Sequence, residues 1–211
     1  RSFKMTTKST TVKKRTTTKR VPSAHPATPK RTVHKKTVSR EIIEPLRFVP
    51  LGGLEEIGRN MSYLEYGDEI IVMDMGFQFP EEDTPGIDYI IPNISSLLPK
   101  KDKIRAVVIT HGHMDHIGAI PYLLGKLGNP PIYTLRLSKA LIEKRQAEFP
   151  NEPKPNIIEV KYGDTRKIGE HFELYFFGVD HTIPDSMGVL VKTPVGNIVN
   201  FGDFRLDRDE K

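Results

Sequence analysis

Residues 104–118 read IRAVVITHGHMDHIG, an apolar run that passes without a spacer into three histidines and an aspartate. This passage constrains the fold more than any other. An apolar run without polar alternation is the signature of a strand buried on both faces, and whatever follows it is pinned to that strand's end. Gly112 lets the backbone turn tightly between the flanking side chains. His111 and His113, two apart on an extended segment, point the same way and can grip one ion, while Asp115 and His116 face a second. A satisfied histidine cluster in the core would have to explain why three imidazoles gather at the mouth of one strand, so the metal-ligand reading is the stronger one.

Around this passage the chain alternates short apolar runs with glycine and proline from Glu41 onward, an α/β pattern. Strands are expected over 47–51, 61–66, 70–75, 104–110, 131–133, 157–160, 172–177, 188–192 and 197–201. A helix is expected over 115–127, with Asp115 as its N-cap and Ile117, Ile120, Leu124 and Leu127 on one buried face; Pro121 should bend it or mark a late start. A second helix is expected over 138–149, with Leu141, Arg145 and Phe149 four apart and Pro150 ending it. No internal repeat is visible.

Charge separates the chain into two parts. Residues 1–40 carry 13 Lys and Arg, ten Thr and no acid, whereas 41–211 carry 19 basic against 27 acidic residues, so the net charge of +5 belongs to the leading segment. With little apolar area to offset ordering entropy, residues 1–40 are expected to be a disordered basic tail. Such a tail attracts RNA or another polyanion through sequence-independent phosphate contacts, or serves as a solvated linker. The 211 residues contain no cysteine, which excludes a disulfide scaffold, a thiolate zinc finger and a cysteine nucleophile. No apolar run approaches the roughly 18 residues of a membrane span, so no membrane partner is expected. The cysteine-free composition fits a reducing compartment, and a cytoplasmic location is expected; an acid-free leader is also found on organelle transit peptides, but no amphipathic stripe supports that reading.

Two later segments supply ligands that the first cluster lacks. VDHTIPD at 179–185 places His181 at the end of a strand-like run as a third nitrogen ligand, and NFGDF at 200–204 exposes Asp203, whose two oxygens could bridge two ions. Either residue alone would read as a hydrogen-bonded loop side chain. Their order after HGHMDH reverses that judgement.

HGHMDH, DHTIPD and GDF, preceded by Asp74 in IIVMDMG, resemble the successive metal motifs of the metallo-β-lactamase fold. LGGLEEIGRNM at 51–61, FPEEDTPGIDYIIPN at 79–93, HTIPDSMG at 181–188 and GDFRLD at 202–207 narrow the likeness to the ribonuclease J family, RNA-degrading enzymes of the β-CASP branch. The likeness spans residues 46–207 and leaves the tail outside. It implies an αββα sandwich of which 41–211 is the N-terminal part, with the β-CASP domain, the last metal-binding histidine and much of the second sheet following later. An incomplete sandwich would leave a sheet face or edge open to association, so a homo-oligomer is an expected partner state beside RNA.

Residue by residue, the resemblance implies His111, His113 and His181 on one zinc ion, Asp115 and His116 on a second, and Asp203 bridging both. Asp74 would orient the HGHMDH loop without touching metal, and Gly52, Gly53 and Gly58 would shape a turn near the site. The implied reaction is hydrolysis of RNA phosphodiesters by a metal-bridging hydroxide, in 5′-to-3′ exonucleolytic and endonucleolytic modes, with Asp115 and Asp203 as the catalytic carboxylates. Zinc is the default for a histidine-rich site, and manganese also accepts mixed nitrogen and oxygen ligands. Met114, Ala119, Thr182 and Phe201 depart from the family's usual Glu, Gly, Ser and Thr, and none is a ligand. Another metallo-β-lactamase-fold hydrolase, acting on a thioester or lactam, would share HGHMDH without explaining FPEEDTPGIDYIIPN or HTIPDSMG. A non-catalytic RNA-binding product held by the tail is the third alternative.

Overall fold

The computed structural model describes residues 44–80 and 84–206. The readings made for residues 1–40, and the acidic residues 81–83 of FPEEDTPGIDYIIPN, lie outside the described part.

Among the described residues, ten strands form two sheets. The first has the order β1 (Arg47–Gly52), β2 (Met61–Tyr66), β3 (Glu69–Met73), β4 (Ile104–Val108), β5 (Ile132–Thr134) and β6 (Ile157–Glu159). Its first three strands run antiparallel and the last four parallel, with β3 shared. The second sheet is antiparallel throughout, in the order β10 (Gly196–Asn200), β9 (Met187–Thr193), β8 (Phe172–Gly178) and β7 (Thr165–Ile168).

Burial explains which runs became which strands. Every residue of β3 is buried, and Ala106, Val107 and Val108 of β4 are fully enclosed, because the first sheet is covered on both faces. One face carries Tyr63, Ile70, Val72, Val107 and Ile109 against Ile117, Ile120, Leu123 and Leu127. The other carries Leu64, Ile71, Met73, Ala106 and Val108 against Phe172, Leu174, Phe176, Met187, Val189 and Val191 of the second sheet. Each large side chain buried between the sheets stabilises the sandwich by about 1.5–3 kcal/mol before entropy is counted. Strand β8 alternates as a half-buried strand should: Phe172, Leu174 and Phe176 point inward, and Tyr175 is exposed on the outer face. Among the described residues the layers are therefore helix, sheet and sheet. The second sheet, expected largely from later sequence, has four strands within residues 165–200.

Several local expectations are corrected. The helix expected over 115–127 is two short helices, α1 (Met114–Ile117) and α2 (Ile120–Leu123), separated at Gly118 and Ala119, with Pro121 in the first turn of α2. A proline lacks the N–H that a continuous helix would use there, so a fresh start accommodates it. Asp115 is not the N-cap: His113 holds that place with an extended backbone, and Asp115 lies inside the first turn. All four apolar side chains expected on the buried face, Ile117, Ile120, Leu124 and Leu127, are buried. The second helix, α3 (Arg136–Gln146), starts and stops earlier than expected, and its buried row is Ser138, Ile142 and Gln146 rather than Leu141, Arg145 and Phe149. Strand β7 and a 3₁₀ turn at Leu98–Lys103 were not anticipated. Both are rich in Lys and Arg, and neither shows an apolar period. No helix among the described residues is long and apolar enough to cross a membrane.

Candidate metal centre

The centre forms where the two sheets meet at the end of β4. Ile109 and Thr110 extend β4 beyond its last ladder pair, Ile109 N–H donating to Tyr133 O at 3.0 Å, and the chain then turns through His111–His113 into α1. The second sheet is tied to this turn by Met187 N–H donating to Thr110 O at 3.0 Å. His181 comes from the loop between β8 and β9, and Asp203 from the segment after β10.

Three nitrogens converge first. His113 Nδ1 lies 3.1 Å from His111 Nε2 and 3.2 Å from His181 Nε2. One imidazole nitrogen carries either one proton or one lone pair, so it cannot satisfy both neighbours by hydrogen bonding. A cation accepting all three lone pairs can, and this donor chemistry fits a divalent ion. A second convergent set is His111, His116 and Asp203. Asp203 joins the two: its Oδ1 is 3.5 Å from His116 Nε2 and its Oδ2 is 3.8 Å from His181 Nε2. Asp115 belongs to neither set, although its Oδ2 is 3.5 Å from His116 Nε2.

Behind the nitrogens stands Asp74, 5% exposed and held at φ 57°, where β3 ends. Its Oδ1 accepts the Thr110 N–H at 2.8 Å, both carboxylate oxygens lie 3.0 Å from the Thr110 hydroxyl, and its Oδ2 faces His116 Nδ1 at 3.0 Å. Once the Thr110 hydroxyl donates to Asp74, its oxygen accepts from His111 Nδ1, 3.1 Å away. The Nδ1 atoms of His111 and His116 are thereby engaged, and their Nε2 atoms face the centre. This is the outer arrangement that fixes ring orientation in histidine metal sites.

Electrostatics follow from that geometry. Burial, then the charge of His116, pushes His111 down to about 4, so it is neutral at pH 7. Burial is the largest single effect on His116 and opposes its charge, but Asp74, Asp115 and Asp203 together outweigh it, and the group is pushed up to about 12. The hydrogen bond to His116 holds Asp203 at about 2 against the opposing effect of burial. Burial opposes ionisation of Asp115, yet the bond and charge of His116 bring it below the usual carboxylate range. Burial likewise pushes His181 down.

The sequence-predicted residues His111, His113, Asp115, His116, His181 and Asp203 thus gather at one place, with Asp74 behind them. A recess of about 300 Å³ reaches His116 and Asp203 past Gly52, Gly53 and Asn60, so the expected glycine turn borders the centre. Two of its glycines, Gly53 and Gly58, have φ of 81° and 97°, values that favour residues lacking a Cβ. Sequence reasoning gave no role to Thr110, Asn60 or Asp185. Asn60 Nδ2 donates to Asp115 Oδ2 at 3.0 Å, and Asp185 Oδ2 accepts the N–H of Leu137 at 2.9 Å, fixing the His181 loop to α3. Asn60 is 55 residues from its partner and Asp185 is 48 from Leu137, and no local pattern signals either pairing. Met114, one of the departures noted above, packs against the core cluster, and Phe201 stands 5.7 Å from Phe177 and 5.3 Å from Phe204 between ring centroids.

Comparison with known proteins places this geometry. The profile described as the metallo-beta-lactamase superfamily matches residues 55–210. The chain is 44% identical over 167 residues to the ribonuclease J of Thermus thermophilus, covering 77% of this chain and 29% of that protein. It is 44% identical over 163 residues to the ribonuclease J of Mycoplasma pneumoniae, covering 77% of this chain and 28% of that protein. It therefore spans less than a third of the length of these relatives, and the resemblance to the N-terminal portion of ribonuclease J is borne out. A solved structure of a protein of unknown function from Enterococcus faecalis superposes with a TM-score of 0.60 at 22% identity, over 76% of this chain and 44% of that one, a likeness of fold.

Proposed function

This chain belongs to the metallo-beta-lactamase superfamily, and from that premise we propose that it is the N-terminal portion of a divalent-metal-dependent ribonuclease of the ribonuclease J type. The observation that carries the reading is the stance of Asp203, which turns one oxygen toward His116 and the other toward His181, as a carboxylate shared by two ions would. His111, His113 and His181 are proposed to hold one ion, and His116 with Asp115 the other. Zinc suits the nitrogen-rich first set, and manganese also accepts this mixture of donors.

A pair of divalent ions supplies Lewis acidity, making water a nucleophile near neutral pH and neutralising charge on a phosphodiester. The remaining work belongs to the side chains. Neutral His111 offers its Nε2 lone pair because Thr110 engages its Nδ1. Asp74 holds His116 through Nδ1 and keeps its Nε2 turned inward. Asp203, held ionised by its bond to His116, links the two halves of the centre. Asp115, with its side chain one-third exposed beside His116, is placed to take a proton from the attacking water and pass it to solvent. RNA cleavage from the 5′ end and within the strand, leaving 5′-phosphate ends, is the proposed outcome, and a cytoplasmic location is proposed with it.

The test is a His113→Ala change in the full-length protein carrying this chain, assayed on 5′-monophosphorylated RNA with zinc and with manganese. The variant should lose cleavage altogether while its fold persists. Retained RNA cleavage, or a wild-type protein that hydrolyses a thioester or lactam but no RNA, would overturn the assignment.

A further inference from the structure

Asn60 touches both carboxylate and imidazole at the edge of the centre, and three separate bonds hold it there. Its backbone N–H donates to Asp115 O at 3.1 Å, and its carbonyl accepts the Gly76 N–H at 2.9 Å. Its side-chain Nδ2 donates to Asp115 Oδ2 at 3.0 Å and stands 3.1 Å from His116 Nε2. The segments on either side are equally constrained: Met75 N–H donates to His116 O at 2.8 Å, and Phe77 N–H to Met114 O at 3.2 Å. Asn60 is thus fixed to the same scaffold as α1, and its amide arrives with little freedom left to lose.

Asp115 needs such a partner. It lies in a helix of four residues, its side chain is one-third exposed, and it stands outside both sets of convergent ligand atoms. An unrestrained carboxylate at such a place samples several rotamers, and ordering it on ion binding costs free energy. The amide of Asn60 removes that cost beforehand by holding one oxygen, Oδ2, on the side of His116. An amide is a donor that does not ionise, so it orients the carboxylate without competing as a charged ligand.

We propose that Asn60 is a positioning residue of the centre, holding the Asp115 carboxylate beside His116 so that the pair can receive the second ion. The proposal rests on the two-ion reading above. Asn60 acts through Asp115, and a test must therefore separate its effect on the second ion from a general loosening of the fold.

The experiment is competitive titration of zinc against a chromogenic chelator, on the full-length protein carrying this chain and on its Asn60→Leu variant, with the thermal midpoint of the ion-free proteins recorded alongside. Leucine keeps the backbone N–H and C=O bonds and the branched outline, though it is bulkier, and removes the donor. Asn60→Ala serves as the second variant, with the same expectation. The wild-type protein should take up two ions. The variant should bind the first, held by His111, His113 and His181, within twofold of wild type, and the second at least tenfold more weakly. Equal affinity for the second ion would overturn the proposal and leave the two-ion reading standing. Parallel weakening of both ions, with a lowered thermal midpoint, would also overturn it, since that is a scaffold defect. A wild-type protein that takes up no second ion would overturn both.

Discussion

Asp74 Oδ2 lies 3.0 Å from His116 Nδ1, joining the end of β3 to the start of α1 across 42 residues of sequence. The same carboxylate accepts the Thr110 N–H and hydroxyl, so one buried side chain sets the orientation of two imidazoles. Asp74→Asn tests this role with little backbone cost, because asparagine tolerates positive φ as well as aspartate does. Divalent-ion affinity should fall by about 10- to 100-fold while the secondary structure is retained. Chelator competition and far-ultraviolet dichroism check the two halves of that outcome.

Gly76 carries the tightest backbone approach near the centre. A Cβ placed there would lie 1.4 Å from Asp115 O, a distance no rotamer change can relieve because the obstructing atom is backbone. Gly76→Ala must push α1 away from the β3 terminus, and it should cost about 3 kcal/mol or more. Urea denaturation of the ion-free chain measures the loss, and unchanged stability would contradict the packing described.

Asp185 sits at φ 57° and caps α3 from a distant loop by accepting the Leu137 N–H. Asp185→Ala should cost about 1 kcal/mol for the cap and about as much again for the left-handed backbone. Asp185→Gly should recover only the second part. Both changes release the loop that carries His181, so zinc affinity should fall with both, and a chelator titration of the two variants checks it.

Tyr122 stacks on Tyr89 with centroids 4.5 Å apart, and burial first, then Tyr89, pushes its hydroxyl up to about 12. The folded chain thus keeps this proton at a pH where an unfolded tyrosine, ionising near 10, has lost it. By linkage, the stabilising contribution of the neutral phenol is complete below about pH 10 and declines as pH rises toward about 12. Tyr122→Phe should remove a late-ionising phenolate from a titration followed by near-ultraviolet absorbance and flatten the stability profile over that window.

Much of this was legible because burial leaves a mark on composition. Residues 104–110 announce a strand enclosed on both faces, and the histidines that follow inherit their position from it. The alternation in β8 was equally open to reading, since one face meets the core and the other does not. Strand β7 was not, because TRKI exposes or half-exposes three of its four residues and owes its place to pairing with β8. The rows of α3 were misassigned for a related reason: Ser138 and Gln146 are buried polar residues, and a search for apolar side chains passes over them. At the centre the metal-type side chains could be read from spacing. Thr110 and Asn60 could not, because a hydroxyl or an amide gains its meaning there from partners brought in by the fold.

The centre draws its groups from both sheets: His111, His113 and His116 leave the first, while His181 and Asp203 leave the second. An ion seated among them is therefore a removable rivet through the sandwich. Whatever the ion contributes to chemistry, it also adds to cohesion by mass action, about 2.7 kcal/mol when free ion stands at about 100 times its dissociation constant. Metal scarcity would accordingly reach this chain as a mechanical weakness, a loosening of one sheet against the other, as well as a loss of reactivity.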